Sequence, residues 1–124
     1  MIIVDTDVLI EIFDRKSERR LQALKLLEQS GEDIAITSLS LHEILYGHFK
    51  RKKNIKEVEE MHIIDFTKED AKVSAKLQNQ AERKGKALPT IDAMIAAIVL
   101  NRNAKLFTYN TKHFKTIQNL TLYG

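Results

Sequence analysis

The chain has 124 residues, 44% of them hydrophobic and 30% charged, no cysteine, and a formal net charge of +3. These values exclude an intrinsically disordered chain, a disulfide-stapled scaffold and any thiolate metal site. A chain of this length buries roughly two-thirds of its unfolded surface, so one self-supporting domain over 1–124 is expected.

The first stretch, MIIVDTDVLIEIF, carries three β-branched residues, Ile2, Ile3 and Val4, that read as a short buried strand. It lacks the basic segment and long apolar run of a secretion signal, and the longest apolar run, AMIAAIVL (93–100), is too short to cross a bilayer. A cytoplasmic protein is therefore expected. VLIEIF (8–13) begins a helix. Ser17 is a good N-cap for the next, with Leu21, Leu24 and Leu27 as its apolar stripe and Gly31 as its stop. DIAIT (33–37) alternates as a second strand. SLSLHEILYGHF (38–49) is helical, and a short helix from Ile55 to Met61 is expected after it. HIIDF (62–66) is a third strand. TKED (67–70) resembles a capping box and opens a helix running to about Lys84, ended by Gly85. Pro89 and Thr90 start the helix IDAMIAAIVLNRN. KLFTY (105–109) is a fourth strand, and LTLY (120–123) an edge strand. Strands alternating with helices give an α/β fold with a mostly parallel sheet of four or five strands covered on both faces. Sites in such sheets form beyond the carboxyl ends of the strands.

Several acids fall where that rule places a site. Asp5 ends the first strand, where it can cap the next helix or serve chemistry. Glu43 is the only acid between Asp33 and Glu57. Asp92 is the only charged residue from Pro89 to Leu100, on a helix apolar nearly all round, so it must be substantially buried. Its burial costs several kcal/mol unless a cation or hydrogen bonds offset it. A first-turn dipole contributes only about 0.3–1 kcal/mol. Asn110 follows the fourth strand. Asp7, separated from Asp5 by one residue, is a secondary candidate that can point away from it. Oxygen ligands converging without His or Cys suit a hard cation, Mg²⁺ or Mn²⁺, which can activate water against phosphorus. His42, His48, His62 and His113 have no metal-ligand spacing, because HEILYGH sets two histidines six apart rather than four. Basic residues gather in KRKKNIK (50–56) and RKGK (83–86), where they can meet phosphates or simply face solvent.

The stretches IIVDTDVLI, TSLSLHEILYG, PTIDAMIAA and LFTYNTKHF, in that order and spacing, resemble the PIN-domain nucleases, and within them the VapC-type toxins of toxin–antitoxin pairs. The resemblance covers essentially the whole chain. It implies a three-layer α/β/α fold and a Mg²⁺- or Mn²⁺-dependent endoribonuclease that cuts RNA, in the family often tRNA or ribosomal RNA. It also implies a homodimer and a VapB-type antitoxin partner. It matches Asp5, Glu43 and Asp92 to the family's metal-binding acids, and Asn110 to a fourth position where an acid is common. Asn there removes a charge and weakens the case for a second ion. Thr6, Ser38 and Thr108 match hydroxyl positions lining the site. Lys50, Arg51, Lys52, Lys53, Arg83, Lys84 and Lys86 are the expected RNA-binding flank.

Two rival readings remain. DTDVL also fits the opening of haloacid-dehalogenase-type phosphatases, but Asn110 stands where such a protein needs acids and the chain is short for that fold. A non-catalytic PIN-like module that binds RNA or a partner is permitted by the same Asn110.

Overall fold

The computed structural model describes residues 1–14, 16–51 and 56–124. Its strands are β1 (Ile2–Val4), β2 (Ile34–Thr37), β3 (His62–Ile64), β4 (Lys105–Phe107) and β5 (Thr121–Leu122). All neighbours pair in parallel, in the order β3-β2-β1-β4-β5. Parallel neighbours need crossover connections, and helices supply them. The helices are α1 (Thr6–Phe13), α2 (Arg19–Ser30), α3 (Ser38–Arg51), α4 (Lys56–Glu59), α5 (Lys68–Arg83), α6 (Thr90–Asn101) and α7 (Thr111–Phe114).

Alternation along the strands divides the core between two faces. Ile3, Ala35 and Leu106 pack with Ile95, Ala96, Ile98 and Val99 of α6 and Phe114 of α7. Ile2, Val4, Ile36 and Phe107 pack with Val8, Leu9 and Ile12 of α1, Ala23 of α2 and Val58 of α4. This is the expected three-layer α/β/α arrangement, with β1 at its centre. The chain builds β1, β2 and β3 outward on one side, then returns to β4 and β5 on the other. The reversal lies between β1 and β4, the place where such sheets open a crevice.

Local chemistry sets the element ends. Thr67 and Asp70 form the reciprocal capping box read from TKED. Gly31 stops α2 in the left-handed conformation, φ +64, which glycine adopts without strain. β4 stops at Phe107 rather than Tyr109, because Thr108 and Tyr109 turn their polar groups to nearby acids instead of continuing the ladder. α2 starts at Arg19, after Glu18 in helical conformation; Ser17 bonds to the Arg19 N–H at 3.2 Å and also to Glu11. The expected α2 stripe is corrected: Leu21 is 72% exposed, and Ala23 is the buried residue, with Leu24, Leu26 and Leu27 packed around it. A helix over 38–49 is present as α3. The short helix expected from Ile55 is α4, and Ile55 itself lies outside the described residues. α7 was not anticipated. Among the described residues no helix is long and apolar enough to cross a membrane.

Candidate active site

The carboxyl ends of β1 and β4 are joined by the Asp5 N–H, which donates to the Phe107 carbonyl at 2.9 Å. This places Asp5 beside Thr108. The Thr108 hydroxyl donates to Asp5 Oδ2 at 2.8 Å and accepts from the Asn110 N–H at 3.0 Å. Asp5 Oδ1 accepts the Thr6 N–H at 2.8 Å, so Asp5 is also the N-cap of α1. Cap and site are therefore one residue.

Asp7 turns inward, against the expectation that it points away. Because Asp5 is a cap with extended backbone and Asp7 is helical, their side chains need not diverge as two helical residues at that spacing would. Asp7 Oδ2 accepts the Tyr109 N–H at 3.1 Å and lies 3.5 Å from the Thr108 hydroxyl. Glu43 reaches the same rim from α3 and accepts the Thr6 hydroxyl at 2.9 Å. Its residue is exposed, but the carboxylate is not simply solvated.

Asp92 sits in the first turn of α6, its side chain 16% exposed, as its apolar helix implied. Its Oδ2 lies 2.6 Å from His113 Nδ1, and the Asn110 amide lies 2.8 Å from the same nitrogen. One ring nitrogen cannot accept from the amide and donate to the carboxylate together. The shorter contact suits Nδ1–H donating to the Asp92 carboxylate, with the Asn110 amide turned so that its oxygen shares that one hydrogen. Asn110 thus touches Asp92 through His113. Sequence reasoning set His113 aside for want of metal spacing. The available signal was different: Asn110 and His113 lie three apart, one helical turn.

Ser38 has no hydrogen bond to this group among the described residues. The hydroxyls near it that are bonded are Thr37 and Ser40, with Thr37 accepting the Ser40 N–H at 3.0 Å at the start of α3. Arg83, Lys84 and Lys86 are exposed around the end of α5, ahead of the helix carrying Asp92. Lys52 and Lys53 lie outside the described residues, as do the side chains of Lys50 and Arg51.

Electrostatics mark the cluster as under-compensated. Burial pushes the Asp5 carboxyl up to about 6; the charges of Asp7 and Asp92 add to this, and hydrogen bonds from Thr108 and Thr6 oppose it. Burial also raises Asp7, against backbone hydrogen bonds. The donor set is all oxygen, which fits a hard cation. Among the described residues, however, no three His, Asp or Glu side chains stand together so as to hold an ion. Asp92 is committed to His113 and Glu43 to Thr6, so a cation held here would have to take over these oxygens.

The PIN domain family model matches residues 2–120, and the chain belongs to the PIN-domain family. This removes the dehalogenase-type reading of DTDVL. Within the family it falls with the VapC group. Ribonuclease VapC2 of Rickettsia felis is 31% identical over 96% of this chain and 93% of its own length. Ribonuclease VapC1 of Methanocaldococcus jannaschii is 29% identical over 98% of this chain and 84% of its own. The crystal structure of VapBC2 from Rickettsia felis, bound to a DNA fragment from its promoter, superimposes with a TM-score of 0.82. It is 31% identical and covers 98% of this chain and 97% of the matched one.

Proposed function

We propose that this chain is a cytoplasmic endoribonuclease, the toxin of a VapBC-type pair, which hydrolyses RNA phosphodiester bonds with a divalent ion, Mg²⁺ or Mn²⁺. The observation that carries the reading is the carboxylate cluster at the β1/β4 reversal, in which a buried Asp5 is held near two further acids with no lysine or arginine paired to it among the described residues. Family membership and the ribonuclease relatives support it.

In this reading Asp5, Glu43 and Asp92 hold the ion. When bound, the ion supplies charge neutralisation and a more acidic water, which phosphodiester hydrolysis needs. The chain's own residues do the rest. Thr108 fixes Asp5 by its hydroxyl, and Thr6 fixes Asp5 by its N–H and Glu43 by its hydroxyl. Asp7 is locked to the Tyr109 backbone, so it adds negative charge to the site without rotating freely. Asn110 acts through His113 to orient Asp92. Arg83, Lys84 and Lys86, with Lys50, Arg51, Lys52 and Lys53, form the RNA-facing flank, since an acidic pocket repels a phosphate chain unless cations border it.

The VapBC complexes among the structural relatives support a VapB-type antitoxin as the partner. In this reading the chain acts as a homodimer. Calorimetric titration of Mn²⁺ into the purified protein and into Glu43→Gln tests the metal assignment. Saturable binding weakened about tenfold or more in the variant is expected. Equal binding by both proteins removes Glu43 from the ligand set, and no binding by the parent leaves the fold as a non-catalytic module.

A further inference from the structure

The expected basic flank accounts for lysines and arginines on α3 and after α5. A different arginine stands on Tyr109, the residue whose backbone borders the acidic cluster. The Arg19 guanidinium carbon lies 3.6 Å from the centre of the Tyr109 ring, stacked on its face. Tyr109 is the residue whose N–H donates to Asp7, and its ring packs edge-on against buried Phe107. The platform under Arg19 is therefore fixed to both the core and the site.

The backbone carrying Arg19 is fixed as well. Ser17 accepts the Arg19 N–H and bonds to Glu11, and the neighbouring Arg20 donates from Nε to the Ile12 carbonyl at 2.8 Å. This corner between α1 and α2 sets the arginine at the rim. Three other described cations are paired with acids away from the site. Arg102 pairs with Asp70, Lys105 with Glu32 and Lys72 with Glu69. Arg19 is exposed, and among the described residues it has no carboxylate partner.

A guanidinium held flat on a ring leaves its N–H edges available in a fixed plane. That geometry suits a phosphate, which a guanidinium can grip with two parallel hydrogen bonds. We propose that Arg19, seated on Tyr109, contacts an RNA phosphate beside the carboxylate cluster and so helps hold the strand at the site. The inference rests on the ribonuclease reading and adds a specific contact to it.

The test uses the full chain. Binding of a fluorescein-labelled single-stranded RNA of mixed sequence is followed by anisotropy over a salt series, with Mg²⁺, in an Asp92→Asn background. Arg19→Ala is expected to weaken binding by about tenfold and to lower the salt slope by about 0.7, the value for one lost phosphate contact on a single strand. Tyr109→Leu, which removes the seat but keeps the arginine, is expected to weaken binding less and to leave the salt slope nearly unchanged. In the otherwise unaltered protein, Arg19→Ala is expected to raise KM with little change in kcat, the signature of lost uniform binding.

Unchanged affinity and slope in Arg19→Ala overturn the contact while leaving cleavage by the parent intact. If Arg19→Ala spares RNA but weakens association with the antitoxin partner, the arginine is a protein contact and the proposal fails. If the parent neither binds nor cuts RNA, the ribonuclease reading itself fails, and that outcome is visible before any arginine variant is compared.

Discussion

Asp5 caps α1 and lies in the acidic cluster, and the two roles pull its stability in opposite directions. As a cap it satisfies the Thr6 N–H. As a buried acid beside Asp7 and Asp92 it is raised to about 6 from an ordinary 3.8. The sign follows from proton binding. The folded chain holds this proton more tightly than the unfolded chain, so the contribution is fully present below the ordinary value and is lost as pH rises through about 6. In the absence of divalent ions, Asp5 therefore costs stability at neutral pH. Asp5→Asn keeps a good capping residue and removes the charge. We expect it to raise stability by about 1–3 kcal/mol at neutral pH in EDTA, measured by urea denaturation. It should also abolish the stabilisation that Mn²⁺ gives the parent. Thr108 acts on the same carboxyl from the other side. Its hydroxyl holds Asp5 down, so Thr108→Val should move the Asp5 carboxyl titration above about 6 in EDTA, read by carbon-detected NMR. A titration that stays put would show that this hydrogen bond does not control the acid.

At the scale of elements, the rigid support for Asp92 lies at the other end of its helix. Asp70, fully buried in the first turn of α5, accepts from Asn101 at 2.8 Å and from Arg102 at 2.9 and 3.1 Å, and closes the capping box with the Thr67 N–H at 2.9 Å. Burial alone would raise this carboxyl, but the Arg102 guanidinium, the Thr67 N–H and the Asn101 amide together hold it down at about 2. The sign is opposite to that of Asp5. The stability is present above the ordinary carboxylate value and is lost as pH falls toward 2. Asp70→Ala leaves a partly buried Arg102 without its acid, and a loss of about 3–5 kcal/mol is expected on chemical denaturation. A loss below about 1 kcal/mol would mean that solvent replaces the clasp. Because α5 and α6 pack together along much of their length, loosening the clasp should also loosen the α6 turn that presents Asp92.

At the scale of the molecule, most of the fold could be read from local pattern. Three β-branched residues made β1 visible, Thr67 and Asp70 marked the start of α5, and the isolated charge of Asp92 on an apolar helix pointed to the site. What escaped the reading depends on tertiary contacts. α7 is four residues long and has no periodicity to detect. His113 matters because the α6–β4–α7 path brings it to Asp92, which no sequence spacing reveals. Asp7 faces inward because Tyr109, 102 residues away, offers it an N–H. Leu21 looked like core because three leucines recur at helical spacing, yet the stripe that packs is centred on Ala23.

RNA cleavage by the parent and by Asp92→Asn, each in EDTA, Mg²⁺ or Mn²⁺, tests the central claim most directly. The substitution keeps shape and removes one charge from the cluster. The parent is expected to cut RNA only with a divalent ion, and the variant, folded by circular dichroism, to be silent in every condition. Equal cleavage by both proteins, or cleavage that survives EDTA, would contradict it.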